Sequence, residues 1–128
     1  MKKYIIILFL VILTILILLT AISNPLRKDC EIIRNNILKV TPIGSDIDYI
    51  ITAIEEQGWE FEYQSDFGFR INSRDISSKK SEFVGVKHIR ATLGAYINFF
   101  VTDVCAYWGF DENNKLVDVY IVKYTDGL

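Results

Sequence analysis

Nineteen consecutive residues near the N-terminus, YIIILFLVILTILILLTAI from Tyr4 to Ile22, carry no charge and only Thr14 and Thr20 as polar breaks. As a helix this run is about 28 Å long at ~1.5 Å per residue, close to the ~30 Å hydrocarbon thickness of a bilayer. A core helix in so small a protein needs a polar side, and this one has none. The run is therefore a membrane anchor or a signal segment. Ala21-Ile22-Ser23 is a usable small-x-small cleavage site, but the apolar run exceeds the usual length of a signal core. Cys30 follows Arg27-Lys28-Asp29, not the small apolar box that lipidation requires. The reading is a retained single-pass anchor through Tyr4 to Ile22. The alternative is cleavage near Ser23, which releases a secreted or periplasmic domain. Lys2 and Lys3 hold the N-terminus inside and place the rest outside the cytoplasm, with Arg27 and Lys28 pulling the other way.

Residues 1–23 thus form the anchor or signal segment, and 24–128 one extracytoplasmic domain, long enough to bury a core without staples. Of the fourteen basic residues, Lys2 and Lys3 lie in the first segment. The twelve that remain face all sixteen acids, a formal charge of −4 on the domain. That balance provides no basic patch for nucleic acid. The abundance of isoleucine, lysine and asparagine points to a bacterial chain from an AT-rich genome.

SNPLRKDCEIIRNNILKV reads as the first helix of the domain. Asn24 caps it, Pro25 takes the first helical position, and Leu26, Cys30, Ile33 and Ile37 make one apolar stripe. Pro42 and Gly44 break the chain. Ser45 then caps a second helix, with Asp48 completing a capping-box pattern and Asp46 complementing the helix dipole. Ile47, Ile50, Ile51 and Ile54 give this helix one apolar face, and Gly58 ends it.

From Trp59 the period becomes two. WEFEYQ places Trp59, Phe61 and Tyr63 opposite Glu60, Glu62 and Gln64; Ser65-Asp66 turns the chain, and FGFRI returns as a hairpin partner. Asn72–Glu82 is polar and aperiodic, a loop. In FVGVKHIRATLGAYIN, Ile89, Ala91, Leu93, Ala95 and Ile97 share one side; His88, Arg90, Thr92, Gly94, Tyr96 and Asn98 share the other. VTDVCAYWGF sets Val104, Ala106, Trp108 and Phe110 against Asp103, Cys105 and Tyr107. KLVDVYIVKY sets Val117, Val119 and Ile121 against Asp118, Tyr120, Val122 and Tyr124. The expected fold class is α+β: an N-terminal transmembrane helix, then two helices packed on one face of a four- to five-stranded antiparallel sheet. Cys30 falls in the helix layer and Cys105 on the other face, so a disulfide between them requires a strand slip.

No catalytic set emerges. His88 is the single histidine, with no Ser–His–acid order around it, and no metal or cofactor is expected. Asp111, Glu112, Asn113 and Asn114 lie beside Trp108 as in some metal- or sugar-binding loops. Lys115 breaks the alternate-oxygen spacing of an EF-hand loop, and Asn113-Asn114 between strands fits a tight turn. A small hydrolase or sugar-binding role for Asp111 and Glu112 is the least favoured reading. The open sheet face holds more promise. Arg90, Tyr96, Tyr107, Tyr120 and Tyr124 are assigned to it, near His88 and Asp118, and tyrosine and arginine are typical binding hot-spot residues. Phe99-Phe100 lies at a strand turn, where it closes the end of the core or touches membrane or partner.

An N-terminal apolar segment, then TPIGSDIDYIITAIEEQG and a run of strands, resembles the small extracytoplasmic SmpA/OmlA (BamE-like) domains, which share a helix–helix–sheet layout with β-lactamase-inhibitor-protein-like modules. The likeness rests on Pro42, Gly44 and Ser45 opening a short amphipathic helix, and it spans Asn24–Tyr124. Gly58 is followed by Trp59 where that family has Gly-x-Pro, and the lipid-bearing cysteine is missing, so outer-membrane assembly is not carried over. The resemblance implies a binding module without catalysis. The expected function is a membrane-anchored module that binds a protein partner through the open sheet face. The alternative is an inhibitor or immunity protein against a secreted enzyme or toxin.

Overall fold

The computed structural model describes residues 1–22, 24–71 and 82–126. The cleavage motif at Ser23 and the polar loop expected over Asn72–Glu82, up to position 81, lie outside the described residues.

The apolar run forms α1, Lys2–Ile22. It is long and apolar enough to cross a membrane, and its side chains are exposed from Met1 to Thr20.

The domain opens with a 3₁₀ turn, Pro25–Arg27, in which the Asn24 side chain accepts from the Leu26 N–H at 3.0 Å. Asn24 therefore caps as expected, but the chain becomes extended at Lys28 and Asp29 before α2, Cys30–Val40. The expected single helix is thus two pieces. Its stripe survives the break: Ile33 and Ile37 are buried, and Leu26 and Cys30 pack beside them.

Helix α3 spans Ile47–Glu56, with Ile50 and Ile54 fully buried. Its C-terminus is a Schellman motif. Trp59 N–H donates to Ile54 O, Gly58 N–H donates to Glu55 O, and Gly58 sits at φ 73°. Its N-terminus corrects the sequence reading. Ser45 does not cap: its hydroxyl donates to Pro42 O, and the cap position is Asp46, whose side chain bonds no helix N–H. The backbone of the last strand hairpin serves instead. Ile47 N–H donates to Asn114 O, Leu116 N–H to Ser45 O, and Gly44 N–H to Leu116 O, while Lys115 pairs with Asp46 at 2.9 Å.

The strands are β1 Phe61–Gln64, β2 Phe69–Ile71, β3 Glu82–Val84, β4 Lys87–Asn98, β5 Phe100–Phe110 and β6 Leu116–Thr125. Strands β1, β4, β5 and β6 form, in that order, a four-stranded antiparallel sheet. β2 and β3 pair with each other as a separate two-stranded ribbon. The hairpin expected between WEFEYQ and FGFRI is not formed. The first run pairs with β4 and the second with β3, so long-range partners displace the local one. FVGVKHIRATLGAYIN is likewise broken at Gly85-Val86 into β3 and β4, with Val86 N–H donating to Phe110 O.

One buried cluster joins Ile33 and Ile37 of α2, Ile50 and Ile54 of α3, Ile89 and Ala91 of β4, Val104, Ala106, Trp108 and Phe110 of β5, and Leu116, Val119 and Ile121 of β6. This defines the cluster face of the sheet. Within it the Trp108 indole donates to Thr41 Oγ1, whose hydroxyl donates to Ile37 O, so both buried polar side chains are satisfied. Two bulges shift the expected alternation. The register slips between Thr92 and Gly94, so Tyr96 joins the cluster face and Ile97 turns out, 69% exposed. A second slip between Gly109 and Phe110 leaves Val117 exposed, although the sequence places it inside. Arg34 closes part of the β6 edge, donating to Val119 O and to the Asp118 carboxylate.

Candidate functional site: an aromatic cleft on the second sheet face

The other face of the sheet, the second face, presents His88, Arg90 and Thr92 from β4, Cys105 and Tyr107 from β5, and Tyr120, Val122 and Tyr124 from β6. Arg90 pairs with Tyr107 and Tyr107 with Tyr120 across the strands, so these three meet by register. Arg90 Nε donates to the Tyr107 hydroxyl at 3.1 Å, which lies 3.1 Å from the Tyr124 hydroxyl. Below this chain Cys105 is buried on the second face, 3.6 Å from Arg90 and 3.9 Å from Thr92. Cys30 belongs to the cluster side, and both thiols are free.

Desolvation pushes the Tyr124 phenol up to about 12, and its bond to Tyr107 adds to the rise. The Arg90 guanidinium is held above its usual value, chiefly by its bond to Tyr107.

The second face is not open along its whole length. The β2–β3 ribbon lies over the part near Gly109. Phe69 is 2% exposed, stacked on Tyr120 at 6.1 Å and tilted against Tyr107 at 6.0 Å. Phe67 lies against His88, whose Nδ1 is 3.0 Å from Phe67 O. Gly109 permits this approach: a Cβ there would stand 2.8 Å from Val84 O and 2.9 Å from the Phe69 ring. Gly68 permits the close pairing within the ribbon itself, where a Cβ would stand 2.2 Å from Val84 O and Gly85 O. Between ribbon and sheet is a cleft of about 460 Å³ whose lining includes Phe67, Phe83, His88, Tyr107, Tyr120 and Tyr124.

Four of the five assigned residues are therefore on this face. Arg90, Tyr107 and Tyr124 are linked, and Tyr120 forms the cleft floor under Phe69. Tyr96 is not there: it lies on the cluster side, with Arg27 5.1 Å and Lys123 5.2 Å from its ring. Asp118 is engaged by Arg34. The sequence reading missed Phe67, Phe69 and Phe83. Their signal was the pair of glycines flanked by aromatics, Phe67-Gly68-Phe69 and Trp108-Gly109-Phe110.

The acid-rich loop is a turn. Asp111 Oδ1 accepts from the N–H groups of Asn113 and Lys115, Asn114 N–H donates to Asp111 O, and Asn114 sits at φ 61°. This is a three-residue hairpin loop with Asn in the left-handed place usually given to glycine. Asp111 spends its carboxylate on the loop itself, and no cluster of metal-ligating side chains occurs among the described residues.

Comparison of the chain with protein-family models, with curated proteins and with solved structures finds no match in any of the three. The fold and the cleft thus define a class only: an α+β domain behind a helix long and apolar enough to span a membrane.

Proposed function

We propose that the chain is a single-pass membrane protein whose extracytoplasmic domain is a non-catalytic binding module, taking a segment of a protein partner into the cleft between the β2–β3 ribbon and the second sheet face. On this reading α2 and α3 cover the cluster face and leave the second face to the partner. The observation that carries it is the lining: aromatic rings on both walls, with the Tyr107 and Tyr124 hydroxyls supplying polar tips at one side and Arg90 bonded to Tyr107 beside it. Such a surface gives large contact area at low entropy cost, as binding hot spots do. The same reading is what the resemblance to the SmpA/OmlA-like domains implies.

The test is affinity capture with the full chain and with Tyr107→Ala, Tyr120→Ala and Phe83→Ala. Phe83 is exposed at the cleft rim, so its truncation disturbs the fold least. Loss of a partner that the wild type retains is expected; unchanged capture by all three variants removes the cleft from the binding site. A captured secreted enzyme would make the module an inhibitor.

A further inference from the structure

At the turn between β4 and β5 the chain exposes a run of large apolar side chains. Ile97 is 69% exposed, Phe99 98%, Phe100 51% and Val101 43%. Asn98 stands opposite Phe100, so Phe99 alone reverses the chain, at φ 60°. A bulky aromatic residue in the left-handed region is strained, where glycine or asparagine would be relaxed. The ring stands at the outermost point of the hairpin, 98% exposed.

This tip is near the anchor by covalent necessity. The Arg27 guanidinium donates to Ile97 O at 2.7 Å. Only five peptide steps separate Arg27 from Ile22, the last residue of α1, a reach of at most about 17 Å. Cations collect at the same end. Arg27 and Lys123 lie over the Tyr96 ring, and the Lys123 ammonium also donates to Lys28 O. Asp29 follows Lys28 in the chain, and Asp126 is held nearby by its N–H on Val101 O, so the cations do not act unopposed.

We infer that the β4–β5 tip is a second membrane contact: Phe99, with Ile97 and Phe100 beside it, enters the interfacial layer of the bilayer that α1 spans, while Arg27 and Lys28 meet lipid phosphates. Aromatic rings and snorkelling basic residues partition to that layer. The contact fixes the orientation of the domain. β4 and β5 rise from the membrane, the aromatic cleft faces away from the anchor along their length, and its ribbon end at Gly109 stands at most about 30 Å above the membrane at ~3.3 Å per residue.

The inference rests on α1 being a retained anchor. The test uses the full chain reconstituted in vesicles of phosphatidylcholine and phosphatidylglycerol, with or without brominated acyl chains, which quench nearby indoles. Phe99→Trp and Phe100→Trp are compared with Tyr49→Trp, an exposed position on α3, whose first turn is bonded to the opposite end of the sheet. Brominated lipid is expected to quench most of the emission added at 99 or 100 and little of that added at 49. Equal quenching at all three positions, or none at 99 and 100, overturns the inference, and none is the result expected if a second copy or another protein covers the tip. Release of the wild-type chain from the vesicles by alkaline carbonate would instead overturn the anchor reading itself.

Discussion

The two faces of the central sheet are built from the same strands and differ in how they are closed. The cluster face is dry and continuous: Trp108, Val104 and Ile89 are at most 1% exposed, as are Ile50 and Ile54 of α3 in the same cluster, and the Trp108 indole donates to a buried threonine. The second face carries a hydroxyl–guanidinium chain and is closed over part of its length by a two-stranded ribbon, held there by aromatic rings and the close approach at Gly109. One face is close-packed and costly to disturb. The other is closed by a ribbon of two three-residue strands, a kind of element that opens locally at lower cost than a core strand.

The comparison is most severely tested by Trp108→Ala, which removes the largest fully buried side chain and the N–H that Thr41 Oγ1 accepts from. It should cost about 3–5 kcal/mol, read as a lowered urea midpoint of the full chain in detergent. Phe69→Ala removes an equally hidden ring from the second face. It should cost only about 1–2 kcal/mol globally while the amides of β2 and β3 lose hydrogen-exchange protection. A loss as large as that of Trp108→Ala would mean that the second face is core and not cleft. Asp111→Ala, which leaves two turn N–H groups without their acceptor, should cost about 1 kcal/mol and leave partner capture unchanged; loss of capture would restore the acidic loop as a site.

The smallest effect is in the alkaline range. The folded Tyr124 phenol holds its proton up to about 12, against 10.0 as its ordinary value. The unfolded chain therefore ionises first, and the stability this group contributes is whole below pH 10 and lost as pH rises toward 12. Tyr124→Phe should flatten that part of the stability–pH curve, measured by urea unfolding at stepped pH. An identical slope in the variant would place the raised phenol elsewhere.

Much of the cluster face was legible in the sequence because its signals are local and periodic. The stripes on α2 and α3, the left-handed end at Gly58, the alternation from Val104 to Phe110 and the turn at Asn113-Asn114 all came through. What was lost depends on tertiary pairing. The bulge at Leu93 leaves Ala95 and Ile97 in apparent phase with Ile89, yet one extra residue exchanges the faces and sends Tyr96 to the cluster side. Ser45 is a good cap by type, but the backbone of the β5–β6 hairpin already occupies the start of α3. The ribbon over the second face escaped notice because Phe69 finds its partners through long-range contact, not through neighbours in sequence.

The claim that the second face binds while the cluster face holds the fold is tested most directly by site-specific photo-crosslinking in the cells that produce the chain. A benzophenone side chain is placed at Tyr124 or Phe83, at the cleft, and at Tyr49, on α3; all three positions are exposed. A discrete adduct with one partner is expected from Tyr124 and Phe83, and none from Tyr49. An adduct from Tyr49 alone, or no adduct from the cleft positions above that at Tyr49, would contradict it.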